Sequence, residues 1–300
     1  MAVVYNTKQY TIGGIRFQVN FLSPFFGFDG KGGSFYFQEI DELKKQDWTI
    51  NFRSVNEINP NQSNVVFTGS DQFEDEMPYK WSIVQINQHT GIQCEFENHP
   101  NIAACLAIID EKNKTIDFLL KTHTPEKIEF DPFFHPAGIH ILQYIAHLNK
   151  GFIIHASTVN YKNKGYLFSA VSGTGKSTMA ALFKHCGATI INDDRLMVMP
   201  KDNSYTVFNT PMPYYQDKNK EVKLHKAFLI KQSPKNYIKE LPALQGTIGL
   251  LGNCMQYQYD EKQVQQRLSA LHSIAENCGV YECGFKPDID IVELIQKRFG

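Results

Sequence analysis

Gly165-Tyr166-Leu167-Phe168-Ser169-Ala170-Val171-Ser172-Gly173-Thr174-Gly175-Lys176-Ser177-Thr178 decides how the second half of this chain folds. Residues 166–170 are a short apolar run, the mark of a buried strand. A Gly-rich turn follows, and residues 176–186 carry a helical pattern closed by Gly187. From Ala170 to Ser177 the string fits the phosphate-binding loop, with Ala in the first small position. Glycines let successive backbone N–H groups turn toward one point and form an anion nest. The helix behind them aims the positive end of its dipole at that point. Lys176 can reach the β- and γ-phosphates of a nucleotide, and the Ser177 hydroxyl can ligate Mg²⁺. Ser172, Gly173, Thr174, Gly175, Lys176, Ser177 and Thr178 are therefore the candidate ATP-binding residues. The alternative is a Gly-rich turn with no ligand.

Downstream, Asn192-Asp193-Asp194-Arg195 follows the apolar run Thr189-Ile190-Ile191. Two aspartates at the C-terminal end of a strand sit where an open α/β sheet holds its ligand. One helix and a tight turn fill the gap from Lys176, so this strand can lie beside the loop strand. Adjacent carboxylates next to Mg·ATP offer two roles: one holds the metal, the other takes a proton from an attacking hydroxyl. Taken alone, Asp-Asp also reads as a solvated turn. Upstream, His155 ends a strand candidate over residues 152–156. Its imidazole faces the phosphates or a metal, or else is a core histidine with a backbone partner.

The alternation of strand and helix begins near Pro132. Residues 136–148 space apolar positions as a helix does, and Gly151 can supply its left-handed cap. Lys164-Gly165 reads as the turn into the loop strand. Helix patterns over 261–277 and 290–298 flank a strand at 280–282. The first 130 residues differ. Runs at 15–21, 34–37, 48–52, 64–67, 81–86 and 115–120 read as strands, separated by Asp29-Gly30, Gly32-Gly33 and Asn59-Pro60. Many strands without helices between them predict an antiparallel sheet or sandwich. No chemical constellation appears there. The expectation is an α+β, β-rich N-terminal domain of unknown role over 1–130, followed by an α/β domain over 131–300.

Composition bounds the function classes. The 300 residues are 42% hydrophobic and 20% charged, near the globular average, with a net charge of −1. That balance gives no affinity for nucleic acid or anionic membrane driven by overall charge. Residues 1–10 lack the apolar core of a secretory signal, and no apolar run reaches a bilayer-spanning length. The six cysteines form no CxxC pair and read as reduced thiols, so the expected compartment is the cytoplasm.

The strings Ile154-His155-Ala156-Ser157, Ser172-Gly173-Thr174-Gly175-Lys176-Ser177 and Ile191-Asn192-Asp193-Asp194, in that order and spacing, resemble the HPr kinase/phosphorylase-like family. The nucleotide core of that family is similar to ATP-dependent phosphoenolpyruvate carboxykinase. The resemblance covers about residues 150–200. It continues more weakly through 222–230 to Ser233-Pro234-Lys235-Asn236. It implies a P-loop kinase domain with an HPr kinase/PEP carboxykinase-like core. It also implies catalytic roles for Lys176, Asp193 as the base and His155 near the transferred phosphate, with Mg²⁺ on Ser177 and Asp194. The chain departs from the family in three places. Thr178 stands where an acidic residue is usual, Glu-Arg-Gly and Pro-Gly-Arg-Asn type signatures are missing, and no arginine lies between Arg195 and Arg267. These departures argue against HPr as the acceptor and against the reverse phosphorylase reaction.

Residues 211–240 hold seven lysines against three acids, a positive loop or an ordinary solvated face. Before it, Thr210-Pro211-Met212-Pro213-Tyr214-Tyr215 is a substrate-facing loop or a rigid turn. The sequence thus predicts transfer of the γ-phosphoryl of Mg·ATP to a hydroxyl, on Ser or Thr of a peptide or small protein. The rivals are a small-molecule kinase, a nucleotide hydrolase and a nucleotide-switched binding module. Related cores often form homo-oligomers.

Overall fold

The computed structural model describes residues 3–39, 45–58, 63–69, 79–123, 127–214, 221–255 and 260–300. The expected Asn59-Pro60 turn, and Tyr215, Asp217, Lys218 and Lys220 of the basic stretch, lie outside these. The chain is mixed α/β and divides into two units. One runs to Leu142 and includes a segment beginning at Pro211; the other holds Gln143–Thr210 and continues from Asn219 to the end.

The first unit contains β1 (Asn6–Ile12), β2 (Ile15–Phe21), β3 (Phe26–Phe28), β4 (Trp48–Val55), β5 (Asn64–Thr68), β6 (Tyr79–Ile86), β7 (His89–Phe96), β8 (Ile102–Asp110), β9 (Thr115–Thr122) and β10 (Ile128–Phe130). Eight of these strands form one sheet in the order β1-β2-β4-β9-β8-β7-β6-β5. It is neither antiparallel throughout nor a sandwich. β2 pairs with β4, and β4 with β9, in parallel, because long connections return the chain in the same direction. Phe17, Phe21, Phe52 and Phe118 are wholly buried on one face, as strict alternation requires. Residues 34–37, expected as a strand, lie in a 3₁₀ turn over Gly33–Phe37. The Asp131 carboxylate causes this by accepting from both the Ser34 amide and its hydroxyl.

A helix, α1 (Pro136–Leu148), carries the boundary between the units. The second unit continues with β11 (Phe152–Tyr161), β12 (Lys164–Ser169), α2 (Lys176–His185), β13 (Thr189–Asn192), β14 (Arg195–Lys201), β15 (Ser204–Asn209) and β16 (Glu221–Gln232). β17 (Tyr237–Glu240), α3 (Ala243–Leu251), β18 (Cys254–Met255), α4 (Glu261–Asn277), β19 (Val280–Phe285) and α5 (Asp290–Phe299) complete it. The strand order is β12-β11-β14-β15-β16-β19-β17, and a further β12–β16 pairing closes five strands into a ring. One face packs Ile154, Ala156, Leu167, Leu196 and Val207 with Leu271 and Ile274 of α4. The other packs Val159, Phe168 and Phe228 with Phe183 of α2 and Ile291 of α5.

Three local expectations change. The turn into β12 is Lys162-Asn163, both left-handed at φ 53 and 63. Gly165 lies instead within the strand, where a Cβ would stand 2.6 Å from the Lys223 carbonyl, so glycine permits β12 to approach β16. The left-handed cap of α1 is Lys150 at φ 61, not Gly151. The stretch expected as a basic loop is largely the strand β16, whose Lys226 donates to the Cys278 carbonyl and whose Lys231 pairs with Glu282.

Candidate functional site

β11 organises the site. Its first half pairs with β14, bringing His155 opposite Arg195. Its second half pairs with β12 on one edge and β13 on the other. The strand carrying Asp193 is thus separated from the loop strand by β11 rather than lying beside it. His155 stands mid-strand, where β11 changes partners. Asp193 and Asp194 fill the break between β13 and β14. One backbone bond, from the Ala156 amide to the Asp194 carbonyl at 3.1 Å, crosses the break. Such an interruption in a ladder re-aims side chains.

The loop after β12 turns on Gly173 (φ 77) and Gly175 (φ 112), conformations that glycine adopts without strain. A Cβ at Gly175 would also meet the Phe285 ring at 2.7 Å. Thr174 ties the loop to itself, its hydroxyl donating to the Val171 carbonyl at 2.9 Å. No side chain caps α2 at its start. The amides of Gly173, Gly175, Lys176, Ser177 and Thr178 have no acceptor among the described residues. Ser172, Gly173, Ser177 and Thr178 are exposed, so these donors are reachable. Lys176 is only 6% exposed and folds back, its Nζ donating to the carbonyls of Ala170 at 2.9 Å and Val171 at 3.2 Å.

Charge ties the pieces together. Burial lowers the Lys176 pKa while Asp194 and Asp193 oppose the shift, so both carboxylates lie within reach of its ammonium. Burial and the Lys176 charge lower the His155 pKa, with Asp194 acting against them. Asp194 stands between the His155 imidazole and the Arg195 guanidinium: Oδ1 is 3.7 Å from His155 Nε2 and Oδ2 is 3.4 Å from Arg195 Nε. Asp193, half-buried, has no hydrogen bond or ion pair among the described residues. The structure therefore brings together the loop, Lys176, His155, Asp193 and Asp194.

Mg²⁺ binds through one or two carboxylates, a hydroxyl and ligand phosphates rather than through a closed protein cage. The exposed Ser177 hydroxyl and the half-buried Asp194 carboxylate, within electrostatic reach of Lys176, suit that chemistry. No group of three or more His, Cys, Asp or Glu side chains, the pattern of a self-sufficient metal centre, occurs among the described residues.

Several residues were not singled out as site residues from the sequence. A cleft of about 500 Å³ adjoins the loop, lined by Thr174, Gly175 and Thr178 and by Gln232, Ser233, Pro234, Phe285 and Pro287. Two Pro-containing turns, after β16 and after β19, build its far wall. The resemblance through Ser233-Pro234 pointed to one of them; nothing marked the other. Asn192 and Asn209, buried under the carboxylate turn, were also missed. Among the described residues no helix is long and apolar enough to cross a membrane.

A family model described as "ScmC: SynChlorMet cassette protein ScmC" matches residues 135–279, just under half of the chain. No curated protein matches the sequence. Among solved structures, the HPr(Ser) kinase/phosphatase from Coxiella burnetii is similar at 12% identity over 48% of this chain and 91% of that one, with a TM-score of 0.26. At that score the superposition carries no argument.

Proposed function

We propose that this chain is a Mg·ATP-dependent kinase of the HPr-kinase-like type, and that it acts in the cytoplasm. It transfers the γ-phosphoryl group to a hydroxyl on Ser or Thr of a peptide or small protein. The carrying observation is the conjunction of five unpartnered loop amides with a buried lysine and two carboxylates within electrostatic reach of it. Open donors at a helix N-terminus favour an anion. Carboxylates beside an anion site would repel it unless a cation intervenes or one carries a proton away. A phosphoryl transferase needs both arrangements.

In this reading the amides of Gly173 and of residues 175–178 cradle the phosphates. Lys176 swings from the Ala170 and Val171 carbonyls onto the β- and γ-oxygens. Asp193, with no partner to release, accepts the proton of the attacking hydroxyl as its oxygen bonds phosphorus and the bond to the β-bridging oxygen breaks. Ser177 and Asp194 would hold Mg²⁺, which supplies charge neutralisation on the phosphates. The cleft by Phe285, whose described lining carries no charged side chain, suits the neutral nucleoside. His155, kept neutral by burial and by Lys176, lines the site without adding charge.

The test is transfer from γ-labelled ATP with Mg²⁺ into a cytoplasmic extract split into macromolecular and small-molecule fractions. Label in the macromolecular fraction that disappears with Lys176→Ala is expected. Lys176-dependent label in small molecules alone moves the acceptor class. ATP binding with no label in either fraction overturns the kinase.

A further inference from the structure

Asn192 ends β13 directly before the two carboxylates, and it is wholly buried. Its Oδ1 accepts from the Asp194 amide at 2.9 Å, and its Nδ2 donates to Asn209 Oδ1 at 2.6 Å. Asn209 ends β15 and is 1% exposed. One residue on, the Thr210 hydroxyl donates to the Arg195 carbonyl at 2.7 Å. Bonds from the end of β15 therefore grip the chain on both sides of Asp193-Asp194. No sheet ladder holds the break there. Water cannot replace the bonds at this depth, and a buried amide left unpaired is costly, so the turn has one arrangement.

We infer that the buried Asn192–Asn209 amide pair is the positioning device of the carboxylate turn, setting the turnover of phosphoryl transfer without setting nucleotide affinity. This rests on the kinase reading. These bonds run to the carboxylate turn, whereas the open phosphate donors belong to Gly173 and residues 175–178. Both act on where Asp193 and Asp194 stand. Misplacing a reacting group by about 1 Å costs on the order of 10²-fold in rate.

Asn192→Leu keeps the volume and removes both bonds. It should lower kcat between about 10- and 100-fold while the Kd for ATP stays within about twofold. Asn192→Asp should return most of the loss. Burial keeps its carboxyl protonated, so one oxygen accepts from the Asp194 amide and the hydroxyl donates to Asn209. A second readout needs no activity. The Asp194 amide donates to Asn192 Oδ1, so its hydrogen exchange reports directly on the turn. That exchange, followed by NMR, should speed up at least about 10-fold in Asn192→Leu and slow again in Asn192→Asp. If Asn192→Leu does not fold, Asn209→Leu carries the same comparison. Wild-type kcat together with unchanged exchange of the Asp194 amide overturns the positioning role. If the wild type itself transfers no phosphoryl group, the kinase reading falls, and the exchange alone decides whether the pair orders the turn.

Discussion

α1 and α2 end alike and begin differently. At the C-terminus of α1 the Gly151 amide bonds the Ala146 carbonyl at 2.8 Å and the Lys150 amide bonds His147 at 2.9 Å. At the C-terminus of α2 the Ala188 amide bonds Phe183 and the Gly187 amide bonds Lys184, both at 3.0 Å. Both are complete Schellman closures. At the N-terminus of α1, Pro136 has no N–H to satisfy, and His135 Nδ1 accepts from the Gly138 amide at 3.1 Å. At the N-terminus of α2 the donors stand open. The carboxylates repeat the contrast. Asp131 accepts from Ser34 twice, from Phe133 at 3.0 Å and from Phe134 at 2.8 Å, whereas Asp193 accepts from nothing described. Of these two helix starts and two carboxylates, the satisfied pair lies at Asp131 and α1, and the open pair lies at the candidate site.

Breaking the contrast at the carboxylates gives the largest effects. Asp193→Asn should lower kcat by about 10²- to 10⁴-fold, the usual worth of a general base, with no change in melting temperature. A lowered melting temperature with kcat retained would move Asp193 among the structural carboxylates. Asp131→Ala should do the opposite. It strands buried donors and should reduce the unfolding free energy by about 3 kcal/mol in urea titrations, with ATP affinity unchanged.

The same contrast explains what the sequence made legible. α1 and α4 span the residues their periodicity marks, because long amphipathic patterns leave one solution. The loop was legible because Gly173 and Gly175 stand where the backbone needs positive φ. Residues 34–37 were misread because apolar alternation cannot register a carboxylate nearly a hundred positions away that captures Ser34. The hairpin of β14 and β15 was missed although Asp202-Asn203 carries its left-handed turn at φ 51 and 55. Asn192 and Asn209 were invisible for a related reason: an asparagine before Asp-Asp looks like turn chemistry until the second amide is seen beneath it.

Titration separates the two histidines that serve these regions. His135 is half-buried and packs against the Phe118 and Phe130 rings, and desolvation lowers its pKa from 6.5 to about 4. Its Nε2 bonds the Pro132 carbonyl at 3.0 Å, which only partly offsets burial. A depressed histidine pKa means the unfolded chain binds the proton first. The stabilisation is full above pH 6.5 and is lost as pH falls toward 4, by about 3 kcal/mol in all. Denaturation midpoints across that window should fall in the wild type and fall less in His135→Asn. Equal slopes would remove His135 from the acid response.

The smallest effect lies at the two C-terminal closures, where the chemistry is the same and only the residue at the left-handed position differs. Lys150 holds φ 61 with a side chain, and Gly187 holds φ 90 without one. A Cβ at Gly187 would meet nothing within 4 Å, so Gly187→Ala measures backbone strain alone and should cost about 1 kcal/mol. Lys150→Gly relieves the same strain but enlarges the freedom of the unfolded chain, so it should gain less, about 0.5 kcal/mol. Because both closures are already satisfied, neither variant should alter ATP affinity. If Gly187→Ala weakened ATP binding, the far end of α2 would be coupled to its open N-terminus, and the separation between closed and open ends would no longer hold.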